Sequence, residues 1–191
     1  MKSELRKQVL AQRDTLTAAE RRALSERITS RLLALETYRT ARCVMAYMSF
    51  GSEFETAGFI ADVLAQGKTL VLPKAVRASR ALKLYAVRDP ERELASGVWG
   101  IREPRADLCL EVPASRIEFA LVPGVAFTRR CERLGYGGGF YDRLIRGFAK
   151  RPSLVAAAFA LQVVPELPVS GRDRKVDLVV TENAQHFLEL E

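Results

Sequence analysis

Histidine is nearly missing from this sequence: among 191 residues there is one, His186. A histidine general base and a multi-histidine metal site are thereby excluded as the basis of any activity. Cysteine is scarce too. Cys43, Cys109 and Cys131 are odd in number, widely spaced and without a CxxC pair, which argues for reduced thiols rather than a disulfide framework or a zinc site. Cys43 lies in an apolar run and is expected in the core. No apolar run approaches the roughly 18 residues needed to cross a bilayer, and Met1-Lys-Ser-Glu-Leu-Arg6 lacks the apolar centre of a secretion signal. A cytoplasmic protein with no membrane partner is expected. An arginine-rich tail and an aromatic RNP-type strand are also lacking. The net charge of +7 favours anionic partners. Its basic residues are scattered and interleaved with Glu, however, so the expectation is a solvated basic surface and no nucleic-acid partner.

What is present fits one α/β domain over residues 1–191, with 48% hydrophobic and 28% charged residues. Residues 2–36 carry helical periodicity, with Leu5, Val9, Leu16, Leu24, Ile28, Leu32 and Leu35 as the main apolar positions. Thr17-Ala-Ala-Glu20 is a capping box, which predicts a break between Asp14 and Thr17 and hence an N-terminal helical pair. Short apolar runs at 43–49, 69–73, 82–87, 118–123, 153–160 and 176–181 predict strands. Helical stretches at 56–66 and 140–149 alternate with them, as in a mainly parallel sheet with helices on both faces. The Pro-, Gly- and charge-rich segment 89–113 is expected to run irregularly over the surface.

The most informative stretch is Arg133-Leu-Gly-Tyr-Gly-Gly-Gly-Phe-Tyr-Asp142-Arg143. Gly135, Gly137, Gly138 and Gly139 permit positive φ and leave backbone N–H groups open to an anion. Arg133 can add a bidentate charge contact, and Asp142 can hold a divalent cation beside the same phosphates. A strand precedes the loop and a helix follows it, the order of a phosphate site. A glycine-rich surface turn is the alternative. Neither a Walker loop nor a dinucleotide fingerprint is present, because no Gly-Lys-Ser/Thr follows and the GxGxxG spacing is absent.

Seven segments in order give the chain a more specific resemblance. They are Lys2-Ser-Glu-Leu-Arg6, Met48-Ser-Phe-Gly-Ser-Glu53-Phe-Glu-Thr56, Leu72-Pro73-Lys74, Trp99-Gly-Ile-Arg-Glu-Pro104, Val122-Pro-Gly-Val-Ala-Phe127, the glycine loop, and Asp173-Arg-Lys-Val-Asp177. Together they resemble the 5-formyltetrahydrofolate cyclo-ligase (5,10-methenyltetrahydrofolate synthetase) family nearly end to end. The resemblance implies a three-layer α/β/α sandwich. It also implies a ligase that closes 5-formyltetrahydrofolate to 5,10-methenyltetrahydrofolate, with ATP as co-substrate, Mg2+ as cofactor and release of ADP and phosphate. A monomer is expected, whose partners are ATP and a reduced folate.

Carried over residue by residue, the resemblance implies an ATP site of Lys2, Ser3, Glu4, Leu5 and Arg6 together with Arg133, Leu134, Gly135, Tyr136, Gly137, Gly138, Gly139, Phe140 and Tyr141. Met48, Phe50, Glu53 and Trp99 would meet the folate, with Tyr136 to Phe140 shared between both ligands. Glu53, Arg133 and Tyr141 would be catalytic, and Asp142 and Asp173 would hold Mg2+. For Met48 and Trp99 a core role suits the composition equally well, for Glu53 a solvated loop, and for Asp173 a turn. Asp177 alternates into a strand and is read as structural. Lys74 and Arg102 are open candidates for the folate carboxylates.

The sequence departs from the family pattern at four places. Thr128 stands where many members have Asp, Cys131 where glycine is common, and Tyr136 and Gly138 where some members have Arg and Lys. With those two loop charges absent, the grip on a triphosphate shifts toward Lys2, Arg6 and Arg133. Two rival readings remain open from sequence: a sugar-phosphate or CoA-handling enzyme on a related scaffold, and a non-catalytic RNA-binding relative.

Overall fold

A computed structural model describes residues 1–168, 170, 171 and 173–188. The capping box forms as the sequence predicts. Helix α1 (Lys2–Asp14) ends before Thr17, and α2 (Ala18–Leu33) begins with the Thr17 hydroxyl accepting from the Glu20 N–H while the Glu20 carboxylate accepts from the Thr17 N–H. Two otherwise orphaned donors are satisfied in this way, which fixes where the chain re-enters a helix. A short α3 (Glu36–Thr40) leads into the first strand.

The sheet is built from β1 (Cys43–Met45), β2 (Thr69–Val76), β3 (Ala81–Val87), β7 (Phe119–Leu121), β10 (Ser153–Ala157) and β11 (Leu178–Val180), with β6 (Leu110–Glu111) and β12 (Gln185–Phe187) at its edges. Its order among the described residues is β12-β11-β10-β7-β1-β2-β3-β6. The five strands from β11 to β2 run parallel, and the flanking pairs β2–β3, β3–β6 and β11–β12 are antiparallel. From β1 the chain passes through α4 (Ala57–Ala65) to β2 on one side, and later returns to β7 on the other. The β1/β7 boundary is therefore a topological switch point, where diverging connections leave a crevice beyond the strands' carboxyl ends.

Period-two alternation divides the interior into two layers. Val44, Phe119, Leu121, Val155, Leu178 and Val180 pack on one face with Ile28 and Leu32 of α2, Tyr38, and Phe59 and Val63 of α4. Met45, Ala120, Val122, Leu154, Ala156 and Val179 pack on the other face with Ile145, from α6 (Phe140–Arg146). Cys43 is buried in this second layer as expected. A smaller cluster joins Leu5 and Val9 of α1 to Val125, Ala126 and Leu134, seating α1 beside the loops that follow β7.

Three differences from the sequence reading stand out. The run 43–49 contributes only three strand residues before turning away from the sheet. The segment 89–113 is more ordered than its composition predicts: it contains α5 (Pro90–Glu93), the ribbon of β4 (Leu94–Ser96) with β5 (Arg102–Pro104), and β6. The strand β12 was not foreseen, because its short polar sequence carries no alternation. Thr17→Ala removes the cap acceptor and should lower stability by about 1 kcal/mol, read as a shift in the denaturant midpoint without change in slope.

Candidate active site

Two loops meet at the switch point. The one after β1 carries Tyr47, Met48, Phe50 and Glu53. The one after β7 passes Pro123 and the ribbon β8 (Ala126–Phe127) with β9 (Arg133–Leu134) into the glycine loop and α6. Helix α1 contributes Lys2 and Arg6, one turn apart and on one side. These groups, with Trp99, Arg102, Ser170 and Asp173, line a cavity of about 940 Å³.

Glu53 is 4% exposed. Its Oε1 accepts from the Tyr136 hydroxyl at 2.5 Å and its Oε2 from the Phe50 N–H at 3.1 Å. Burial pushes its pKa up, opposed by those two hydrogen bonds and by the Arg13 charge. The Tyr47, Tyr136 and Tyr141 hydroxyls around it are all pushed up, in each case chiefly by burial, with the Glu53 charge adding to the effect. The phenols therefore stay protonated at neutral pH and can act as donors.

The sequence reading did not anticipate Arg13. At 3% exposure it is buried, its Nε donating to Ser52 Oγ at 3.0 Å and a terminal nitrogen to the Tyr136 hydroxyl at 3.1 Å. Ser52 in turn donates to the Asp14 carboxylate. A weak signal existed, since Arg13 interrupts the apolar face that Val9 begins one turn earlier.

On the other wall, the Arg6 Nε donates to the Gly135 carbonyl at 2.7 Å, tying α1 to the glycine loop. Of the loop glycines, only Gly137 and Gly139 adopt positive φ, at 105° and 70°. Arg133 lies beneath the loop, 4% exposed, with its guanidinium donating to the Pro123 carbonyl at 3.1 Å and to Asp142 Oδ1 at 2.7 Å. Arg133 is thus an internal brace as well as a cavity wall. Asp142 Oδ1 also accepts from the Arg174 N–H at 3.2 Å. The cap residue of α6 is Gly139, so Asp142, the third residue of the helix, is not its cap.

Asp173 Oδ2 accepts from Lys2 Nζ at 2.5 Å and from the Ser170 N–H and hydroxyl. Burial alone would raise its pKa, but Lys2 and Ser170 outweigh burial and lower it. Asp142 and Asp173 each keep their second oxygen free of hydrogen bonds among the described residues. Hard carboxylate oxygens of this kind suit Mg2+, which takes one or two carboxylates and completes its shell with water and phosphate oxygen. Among the described residues no cluster of three or more His, Cys, Asp or Glu exists, so the protein would supply a minority of the ligands.

Not every expected residue converges. Ser3, Glu4 and Leu5 do not line the cavity: Ser3 and Glu4 are exposed on other faces of α1, and Leu5 packs into the small cluster beside Leu134. Trp99 is not a core residue. It is 64% exposed, has a positive φ of 59°, and meets the Phe140 ring edge-on at 5.9 Å across the cavity mouth. Met48 lines the cavity while packing against the main core. Lys74 donates to the Pro104 carbonyl, and Arg102 to Glu91 and the Pro90 carbonyl, so both are engaged within the 89–113 segment. Asp177 is structural, binding Arg151 and the Leu154 N–H. Cys131 has φ 61°, the left-handed conformation that explains why glycine suits this position.

A crevice at the switch point of a parallel sheet, walled by a glycine loop, helix-borne cations and a buried carboxyl, defines an α/β enzyme. The chain belongs to the 5-formyltetrahydrofolate cyclo-ligase family, whose model matches residues 1–182. It is 31% identical to the 5-formyltetrahydrofolate cyclo-ligase of Escherichia coli (strain K12) over 170 residues, 88% of this chain and 93% of that protein. It is 28% identical to that of Mus musculus, covering 96% and 93%. The structure of Aquifex aeolicus 5,10-methenyltetrahydrofolate synthetase superposes with a TM-score of 0.87 at 36% identity, over 100% of this chain and 94% of that one.

Because folding raises the Glu53 pKa, its contribution to stability is fully present below the ordinary glutamate value and is lost as pH rises through the folded value. Glu53→Gln should therefore raise the melting temperature at pH 8 while abolishing most activity, and the gain should shrink toward pH 4. A gain confined to acid pH would contradict this assignment.

Proposed function

We propose that the protein cyclises 5-formyltetrahydrofolate to 5,10-methenyltetrahydrofolate, using ATP with Mg2+ and releasing ADP and phosphate. The observation that carries this reading is the convergence, in one cavity, of a buried carboxyl among aromatic rings on one wall with cations and a glycine loop on the other. The first wall suits a flat reduced pterin and the second a polyphosphate.

A formamide carbon is a poor electrophile, and hydroxide is a poor leaving group from a cyclised adduct. Transfer of the γ-phosphoryl group to the formyl oxygen answers both difficulties. The oxygen forms the new P–O bond as ADP departs, leaving an iminium phosphate. N10 then adds to the activated carbon, the C–O bond breaks with departure of phosphate, and loss of the N10 proton leaves the methenyl bridge. Phosphoryl transfer asks chiefly for alignment and charge neutralisation, so the lack of a histidine base is no obstacle.

In this reading Lys2 and Arg6 hold the phosphates against the loop from Gly135 to Gly139, and Arg133 adds positive charge from beneath. Asp142 and Asp173 would hold Mg2+, which supplies charge neutralisation at the transferring group. Met48, Phe50, Trp99, Phe140 and Tyr141 would present apolar and stacking surface to the pterin and benzoyl rings. Glu53 would accept a hydrogen bond from the pterin or take the N10 proton, each carboxylate oxygen keeping a lone pair beyond its one protein partner. A cytoplasmic monomer completes the reading.

Absorbance of the methenyl product tests it: product should form only with folate, ATP and Mg2+ together, and turnover without nucleotide would overturn the proposal. Arg6→Ala should raise the KM for ATP by ~10-fold or more, the loss of a charge-assisted contact worth about 1.5–3 kcal/mol, with little change for folate. Asp142→Asn should cut turnover by orders of magnitude and move the Mg2+ requirement upward. Because Asp142 also braces Arg133, some stability should be lost as well, so an unchanged Mg2+ dependence is the result that would remove it from the metal site.

A further inference from the structure

We propose that Arg13 is a positioning residue for the reaction, acting on Glu53 through the hydroxyl of Tyr136. The inference rests on the cyclo-ligase reading for the role of Glu53, but its geometry stands independently.

A phenol hydroxyl has one proton to give. The Arg13 guanidinium has only donors, so where it meets the Tyr136 oxygen at 3.1 Å it occupies an acceptor position and leaves the phenol proton directed at Glu53 Oε1, 2.5 Å away. The second arm of Arg13, from Nε to Ser52 Oγ at 3.0 Å, fixes the guanidinium plane, and Ser52 is itself held by Asp14. One buried cation on α1 thus sets both the turn that presents Glu53 and the sense of its hydrogen bond. Arg13 is absent from the cavity lining, so it acts through Tyr136 rather than on substrate.

The arrangement also ties the two walls together. Tyr136 belongs to the glycine loop and is 40% exposed, its ring lies 5.3 Å from that of Phe50, and its hydroxyl reaches Arg13 and Glu53. The positive charge that reaches Glu53 through Tyr136 comes from α1. The charged and titratable groups facing Glu53 are Arg13, Tyr47, Tyr136 and Tyr141. Arg13 is the one cation among these four.

The test separates the charge of Arg13 from its geometry. Arg13→Lys keeps the charge but cannot hold Ser52 and Tyr136 together. In full-length protein labelled with [δ-13C]glutamate, the carboxyl resonance missing from Glu53→Gln reports Glu53 ionisation without any turnover. Arg13→Lys should raise the Glu53 midpoint by about one pH unit, and the acid limb of kcat/KM for 5-formyltetrahydrofolate should move up with it. In a Tyr136→Phe background the same substitution should move the midpoint little. Equal shifts in both backgrounds, or none in either, would overturn the proposal. Should Arg13→Lys fail to fold, Ser52→Ala releases the other arm and should shift the midpoint in the same direction, again only when Tyr136 is present. A wild-type enzyme without methenyl-forming activity would overturn the functional reading, while the resonance shifts would still decide the role of Arg13.

Discussion

Parallel pairing requires each strand to be followed by a crossover, and a sheet that grows in both directions from β1 must send successive crossovers to opposite sides. The site depends on this constraint. Between β1 and β7 the connections part, so the residues after Met45 and after Leu121 cannot cover one another and a crevice remains. The strand β1 is only three residues long, and the apolar run continues past it as a loop instead of a strand. That early exit delivers Glu53 to the cavity wall.

Helix α1 closes the crevice. It adds nothing to the sheet, and its own apolar contact with Val125, Ala126 and Leu134 is small. Its polar attachments are more numerous: Lys2 to Asp173, Arg6 to Gly135, and Arg13 to Ser52 and Tyr136. Together they reach three segments of the site: the glycine loop at Gly135 and Tyr136, the loop after β1 at Ser52, and the segment carrying Asp173. A helix fastened mainly by long cationic side chains opposite loop acceptors places positive charge around an anion pocket and keeps the loops in register with one another.

The buried polar groups show where stability and chemistry pull apart. Glu53 is desolvated and its carboxylate is held by donors that only partly offset the burial. Arg133 is similarly withdrawn from water, and among the described residues its Nε has no hydrogen-bond partner. An apolar core would be simpler to build. A carboxyl and a guanidinium held dry and oriented are what a reaction with developing charge can use without further reorganisation.

The sequence by itself determined the four longer helices α1, α2, α4 and α6, the parallel core strands and the helix break at Thr17, because capping and hydrophobic period are local properties of the chain. It also marked the glycine loop, whose residue types are informative at short range, whereas Glu53 was marked only by the resemblance of its whole segment to the family. Arg13, Tyr47 and Ser52 lie far from the glycine loop in the chain, and nothing local ties them to it. Their roles, the exposure of Trp99, the bracing of Arg133 by Asp142, and the exclusion of Ser3 and Glu4 from the cavity were decided by tertiary structure alone. The physical reason is that side-chain hydrogen bonds such as Arg13 to Tyr136 span 123 residues of chain, and their partners are set by how the switch point brings loops together rather than by anything periodic in the sequence.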